Sequence, residues 1–483
     1  MKSFRSTLVL LLIVAAVGGY IYVAERGPVA ESGSEVLLRT DPNTVTTLSL
    51  QKSSTSAIQL RKIADNWTLT QNKPAVKEGP DMPADPDGSK SAADVPANPD
   101  AIRGVPADPD AVENLLKQVQ LVQATSVMPA DSARLKEFGL DKPQSSLTVQ
   151  DAKIEFGAKP GSDPGNVYAR IGDTIAVLPA TLADSVAKPF GEWRDKAVLR
   201  VVLEETSQIV IQAPAVTATL LKTNDKTEDE ASEWSILKPV GATADVSAVE
   251  SFINELASAK TTKFLEDNPR SLERWGLDQP QVEMEVKTKN GTQKLLVGKK
   301  LKSGYAAQNS FSQVVFELPD ATFALINRPL RAWRSKTVMK FDVADLTRLE
   351  VTARGTTRAY TQSDGKWQPG EKTEDAETAN QAVLDMIIAA QNLSAQDFID
   401  KSAASSAYGF DKPGVLLKMT SSSQSKPLTL QLAFPNDKVY ARTATEDTFN
   451  ATVYVLPQSV KATFKSALDK LFATPATPGE KKP

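Results

Sequence analysis

Asp141, Asp278 and Asp411 are the first residues whose type and spacing suggest chemistry. Each sits in an aromatic-Gly-apolar-Asp-x-Pro hexapeptide: Phe138-Gly139-Leu140-Asp141-Lys142-Pro143, Trp275-Gly276-Leu277-Asp278-Gln279-Pro280 and Tyr408-Gly409-Phe410-Asp411-Lys412-Pro413. Carboxylates recurring at near-equal intervals could hold a cation or share acid–base work. The same hexapeptide is also a helix stop. Gly takes the left-handed position, Pro bars continuation, and Asp caps or ties the turn. The turn reading is preferred for all three. A second candidate is Trp193-Arg194-Asp195-Lys196 with its counterpart Trp333-Arg334-Ser335-Lys336. These could form a basic contact surface. The preferred reading packs Trp inward while Arg and Lys complement a helix C-terminus.

Two absences narrow the chemistry further. The 483 residues include no Cys and no His. Thiolate nucleophiles, thiolate zinc sites, disulfides and a lipidation cysteine are excluded. So are the commonest general base and the commonest metal ligand. Carboxylate or Ser–Lys chemistry survives. Asp and Glu total 59, so pairs arise by chance and none is singled out. No motif marks a catalytic, cofactor-binding or metal-binding set; none is assigned, and the chain is not read as an enzyme. A hydrophobic fraction of 41% and a charged fraction of 24% describe a globular chain. With a net charge of −3 and no basic block, it is not a nucleic-acid binder.

At the N-terminus, Lys2 and Arg5 precede an apolar run over residues 8–24, closed by Glu25 and Arg26. At roughly 1.5 Å per residue the run reaches about 25 Å as a helix, near the lower limit for crossing a bilayer. The flanking charge keeps its start in the cytoplasm, and Tyr20 and Tyr22 suit an interfacial belt. The segment lacks a clean small-x-small cleavage pattern, so it reads as an uncleaved anchor rather than a removed signal.

The candidate residues must be positioned by a repeating framework. Upstream of each Gly stands an amphipathic stripe: Val112, Leu115, Leu116, Val119; then Val249, Phe252, Ile253, Leu256; then Val383, Met386, Ile387, Ala390. These spacings predict core-facing helices. Downstream, alternating segments predict antiparallel hairpins. Leu147 and Val149 face Ile154 and Phe156; Val282, Met284 and Val286 lead through Asn290-Gly291 to Leu296; Val415, Leu417 and Met419 lead to Leu428, Leu430 and Leu432. Strands with Tyr168-Ala169-Arg170, Tyr305-Ala306-Ala307 or Tyr440-Ala441-Arg442 follow, then strands ending in Leu178-Pro179, Leu318-Pro319 or Leu456-Pro457. A final helix is predicted to carry the Trp-Arg-x-Lys segments, with Leu471 at the third equivalent position. Each copy opens with strands holding a lone Trp67, Trp234 or Trp367, read as core or edge anchors.

The expected fold class is α+β: three tandem repeats of a mixed, mainly antiparallel sheet with two helices each, after one transmembrane helix. The boundaries are 1–26 for the anchor, 37–200, 201–341 and 342–476 for the copies, and 477–483 for a tail. The first copy is longer than the others between Trp67 and Phe138. The excess falls on residues 74–110, where Pro83-Ala84-Asp85-Pro86 nearly recurs at Pro96 and Pro106. That composition predicts an excursion dispensable for folding.

Together these features resemble the bacterial domain of unknown function 4340 family. The resemblance rests on Tyr-Val-Ala-Glu-Arg at residues 22–26, Asn66-Trp67, the Gly-Leu-Asp-x-Pro motifs at Gly139 and Gly276, and the Tyr-Ala-Arg and Leu-Pro strands. The third copy departs from it, having Phe434 where Gly157 and Gly298 stand in the others. The resemblance implies no known activity and no catalytic residues. It does imply companionship with ABC-type export systems related to gliding-motility transporters. The expectation is a periplasmic accessory or binding module in the bacterial inner membrane, tethered by one helix, with a transporter-like protein partner. A structural envelope spacer and a carboxylate-based hydrolase of envelope polymers are the alternatives.

Overall fold

The computed structural model describes residues 41–52, 57–71, 102–223, 233–370, 376–400, 405–445, 448–449 and 451–472. The expected anchor, the tail and residues 74–101 of the excursion lie outside the described residues. Among the described residues, no helix is long and apolar enough to cross a membrane.

The described residues form a mixed α+β structure with three antiparallel sheets. Edge to edge, the first (sheet A) runs Ile102–Pro106, Asn66–Gln71, Ile58–Ile63, Thr47–Lys52, Ser145–Val149, Ala152–Phe156, Asn166–Ile171, Thr174–Pro179 and Ser126–Pro129. Sheet B repeats this order with Ala242–Thr243, Glu233–Lys238, Val216–Thr223, Thr206–Ala213, Val282–Thr288, Gly291–Lys300, Tyr305–Asn309, Val315–Leu318 and Lys263–Glu266. Sheet C runs Lys366–Pro369, Thr356–Ser363, Leu346–Ala353, Val415–Ser421, Leu428–Ala433, Val439–Thr445, Val453–Leu456 and Asp397–Ile399. Thr448–Phe449 pairs beside it on Val439–Thr445.

Each order has one logic. The opening strands meander outward, the chain leaves through a helix, and the strand after the Gly turn returns to pair with the first opening strand. The registers are Leu48 with Val149 and Leu50 with Leu147; Ile209 with Val286 and Ile211 with Met284; Leu349 with Met419 and Val351 with Leu417. All twelve of these side chains are buried. Alternation of buried and exposed positions along these strands is what fixes the register, since a one-residue slip would turn the apolar set to solvent.

The helices form where the stripes predict them. Helix α1, Pro109–Leu121, buries Val112, Leu115, Leu116 and Val119. The Asp108 side chain accepts from the backbone N–H groups of Asp110 and Ala111, and Pro109 sits at the first turn, where it forfeits no hydrogen bond. A second helix, Val246–Ser258, buries Val249, Phe252, Ile253 and Leu256, and Asp245 caps it by accepting from Ala248 N–H. A third, Ala376–Gln391, adds Ala379 and Ala382 to the expected buried stripe. At about 2 kcal/mol per buried large apolar side chain, each stripe stabilises its sheet by several kcal/mol.

The final helix differs from expectation. It covers Ala180–Val186 and Asp320–Ile326 and ends before Trp193 and Trp333, which follow short 3-10 turns. Pro189 and Pro329 are the reason, because a proline disfavours helical backbone at the residue before it. Ala467 takes the place of that proline in the third region. There the helix runs uninterrupted over Ser459–Leu471, and Leu471 is buried. The two-helix expectation also misses Ser132–Glu137, a short third helix in the first region.

The Gly turns close as predicted. Leu140 N–H reaches Leu135 O and Gly139 N–H reaches Lys136 O; Leu277 N–H reaches Leu272 O and Gly276 N–H reaches Glu273 O. Both are Schellman closures, with Gly139 at φ +67 and Gly276 at φ +66. Gly298 lies directly over the Trp275 carbonyl, so a Cβ there would collide with backbone, and Gly157 stands likewise against the Phe138 carbonyl. In the third region the roles are exchanged. Phe434 stands in the Gly place, and its ring lies where a Cβ of Gly414 would be. Gly414 in turn replaces Gln144 and Gln281 after the motif proline. The bulk has moved from one side of the contact to the other.

By contact, the chain divides into two compact units. One comprises residues 1–197, 262–270 and 312–316; the other comprises 198–261, 271–311 and 317–483. The core of the first gathers Leu48, Leu50, Leu60, Leu147, Phe156 and the α1 stripe. A core of the second gathers Leu349, Val351, Trp367, Met386, Leu417 and Phe464.

Two outcomes test this packing. Gly298→Ala should destabilise by about 1–3 kcal/mol through the carbonyl clash, while Gly241→Ala, with open space at its Cβ position, should be neutral in the same urea titration. The second concerns the excursion. Residues 102–110 are not dispensable, because Ile102–Pro106 pairs with Asn66–Gln71 and Asp108 caps α1. Replacing residues 74–101 with a Gly/Ser linker should leave the thermal midpoint nearly unchanged. Extending the cut to residue 110 should lower it markedly, since a missing cap alone costs about 1 kcal/mol.

Candidate functional site

The structure does not gather the three motif aspartates. Asp141, Asp278 and Asp411 are each exposed on the turn of a different sheet. The Asp141 backbone N–H donates to Leu135 O within its own turn, in keeping with the turn reading. Among the described residues, no group of three or more acidic side chains could hold a metal ion.

The Trp-Arg segments are where buried charge collects. Trp193 and Trp333 pack inward and are almost wholly buried. Their backbones act as ladder rungs: Asp108 N–H donates to Trp193 O, Asp195 N–H to Pro106 O, Asp245 N–H to Trp333 O, and Ser335 N–H to Thr243 O. The arginines depart from expectation. They neither face solvent nor complement a helix C-terminus, because the helix has already ended; they are 7% and 4% exposed. Each Trp still has helical backbone at the end of its 3-10 turn, whereas the Arg after it forms an isolated antiparallel bridge, Arg194 with Ala107 and Arg334 with Ala244.

In the second unit, Arg334 Nη1 donates to Asp400 Oδ1 at 2.6 Å. The Thr452 hydroxyl donates to the same oxygen at 3.0 Å, and Arg334 Nη2 approaches Thr452 Oγ1 at 3.5 Å. The guanidinium lies 4.0 Å from the centre of the Phe398 ring. Phe398 meets Tyr454 edge-on at 6.0 Å. A cavity of about 490 Å³ opens beside the cluster, lined also by Val240, Thr243, Ser335 and Thr337. A neighbouring cavity of about 650 Å³ shares Thr243, Ser335, Thr337 and Tyr454 and adds Asp245, Lys340 and Thr443. In the first unit, Arg194 donates to Asp267 and stacks 3.6 Å from the Phe264 ring centre.

These are holding arrangements. Burial lowers the pKa of Arg194, and the charge of Asp267 and its hydrogen bond work against that shift. A guanidinium stays protonated under any ordinary condition, so it neither gives nor takes a proton. Asp400 accepts from a guanidinium and a hydroxyl. The pKa of Tyr454 is pushed up by burial and partly brought back by Arg334 and a hydrogen bond with Thr443. Hydroxyls, a phenol and a stacked ion pair around a cavity can bind polar groups.

Sequence reasoning found the arginines and missed their partners. Phe264 and Phe398 occupy one place in the framework, on the short strand after each core helix, and an acid follows each two or three residues on. That recurrence was the available signal. Thr452 and Tyr454 carry none, because their strand joins the site only through sheet pairing.

A family model described as Domain of unknown function (DUF4340) matches the chain over residues 99–233 and 234–413. No curated protein matches it. Among solved structures, a DnaN sliding clamp (DNA polymerase III subunit beta) from Pseudomonas aeruginosa bound to griselimycin aligns at 10% identity. That alignment covers 88% of this chain and 94% of that one, with a TM-score of 0.16. A second structure, of the DNA polymerase III subunit beta from Pseudomonas aeruginosa, aligns at 11% identity over 86% and 92%, with a TM-score of 0.15. Scores this low carry no argument about fold or function.

Tyr454 supplies a pH test. Its pKa in the folded protein is raised, so folding favours the neutral phenol. The stabilisation is complete below the ordinary tyrosine value of about 10 and is lost as pH rises through the folded value. Tyr454→Phe should therefore flatten the alkaline fall in stability above about pH 10 and leave stability at pH 7 little changed, as read by urea midpoints across pH.

Proposed function

The chain belongs to the family defined by the domain of unknown function DUF4340, and from that premise we propose that it is a membrane-tethered periplasmic accessory or binding module, not an enzyme. Residues 8–24 form the tether. The exported part consists of three tandem copies of one α+β domain, bounded at 37–200, 201–341 and 342–476. Its partner is another membrane protein of the ABC-type export or gliding-motility class, in the bacterial inner membrane.

One observation carries the reading: three sheets of matching strand order follow a single apolar segment in one chain. Copies of a domain without a repeated reactive centre multiply surface, and surface serves docking. A tether keeps that surface near membrane neighbours and raises its effective concentration without new contacts. A glycan hydrolase would instead need two carboxylates about 5–10 Å apart across a cleft, one of them held protonated. The carboxylates that line the cavities are each engaged: Asp400 by Arg334 and Thr452, Asp245 by the Ala248 N–H that it caps, and Glu233 by Lys340.

Two measurements check this. N-terminal sequencing of the mature protein should find residues 8–24 retained; a start after Ala24 refutes the tether. Crosslinking in intact cells followed by mass spectrometry should recover a transporter subunit. A blank crosslink profile, together with polymer cleavage abolished by one Asp or Glu substitution, would replace the module with the hydrolase.

A further inference from the structure

The Trp-Arg segments and the Phe-and-acid segments meet in the same way at two places. In the second unit, residues 333–338 are bonded on both sides. Ser335 N–H donates to Thr243 O and Asp245 N–H to Trp333 O on one side; Ala395 N–H donates to Lys336 O and Val338 N–H to Leu393 O on the other. At the centre Arg334 turns in, stacks on Phe398 and pairs with Asp400. In the first unit, residues 193–195 bond to Pro106 and Asp108, and Arg194 turns in, stacks on Phe264 and pairs with Asp267. The two sites use the same residue types at matching framework positions.

What stands at the ends of the series is as informative. In the first copy the place of Phe264 and Phe398 is taken by Val127, and Pro129 and Ala130 stand where the acids would be. In the third copy the place of Trp-Arg is taken by Leu471-Phe472. Within the chain, each Trp-Arg half is followed in the next copy by a Phe-with-acid half. A merely decorative surface pair would show no such dependence on position.

We propose that Trp-Arg and Phe-with-acid are the two halves of one head-to-tail latch, used once between the first and second copies and once between the second and third. The first copy lacks the Phe-with-acid half and the third copy lacks the Trp-Arg half. A buried charge pair of this kind serves register more than stability, because either charge alone is costly to bury and only the correct mate neutralises it. Stacking adds a geometric demand that a planar guanidinium meets and an ammonium does not. The inference rests on the three-copy reading above and is independent of the partner.

The test is hydrogen exchange on the full chain, comparing Arg334→Met, Arg334→Lys and the surface control Arg348→Met, whose Glu350 pair is exposed. In both Arg334 variants, exchange in residues 333–338 and 393–400 should rise about tenfold or more, while Val415–Ser421 keeps its protection. The control should change neither. Failure of Lys to rescue is part of the expectation, since a simple ion pair would be restored by it. Unchanged exchange in those segments, or a rise spread evenly through sheet C, overturns the latch. Should the Arg334 variants fail to fold, Thr452→Val removes only the hydroxyl that donates to Asp400. A smaller rise confined to the same segments supports the latch, and its absence refutes it. A flat exchange result with crosslinking to a partner intact would sink the latch alone and leave the proposed function standing.

Discussion

Everything in each sheet depends on one pairing: the strand after the Gly turn returning to the strand with which the sheet began. Leu147–Leu50, Met284–Ile211 and Leu417–Val351 are the contacts that close it. Between the two strands lie the remaining opening strands, a helix and a short edge strand, so the pairing closes a long loop at an entropic cost. The helix stripe repays that cost by covering the face of the sheet it leaves. The Gly turn then sets the direction of return, and its left-handed residue lets the chain reverse within a few positions. Once the return strand is in register, the outward meander follows by local hairpins.

Buried charge is the second organising feature. Arg194 and Arg334 sit in positions where most side chains would be apolar. A guanidinium there is tolerable because its face rests on an aromatic ring and its edge on a carboxylate. Their neighbours, Trp193 and Trp333, anchor the ends of the preceding 3-10 turns in the cores. Two large buried side chains in succession leave such a segment little freedom to rotate or slide. The indole N–H groups of both have no hydrogen-bond partner among the described residues.

The departures of the third region share one kind of cause. Exchanging Pro for Ala at position 467 lengthens a helix, and exchanging bulk between Gly414 and Phe434 preserves a contact with its sides reversed. In both cases a local residue choice changes a detail that the surrounding sheet absorbs. The sheet order itself survives because its registers are set by alternation over many residues, not by any one of them.

Periodicity determined which segments are helix and which are strand, because the 3.6- and 2-residue patterns report burial on one face directly. It found all four buried residues of α1 and those of Val246–Ser258. The recurrence of the Gly-x-Asp-x-Pro turn likewise announced three like regions, since a helix stop is a purely local event. Where the final helix ends was also written locally, in Pro189 and Pro329, though the sequence reading ran past them. What only the tertiary structure decided was the fate of the polar candidates. Whether an arginine faces water or a carboxylate depends on which distant strand lies opposite. Asp400, Thr452 and Phe398 reach Arg334 through pairing between segments far apart in sequence. Contacts of that kind leave no periodic trace, because each is made by a single side chain whose mate is chosen by the packing of whole sheets.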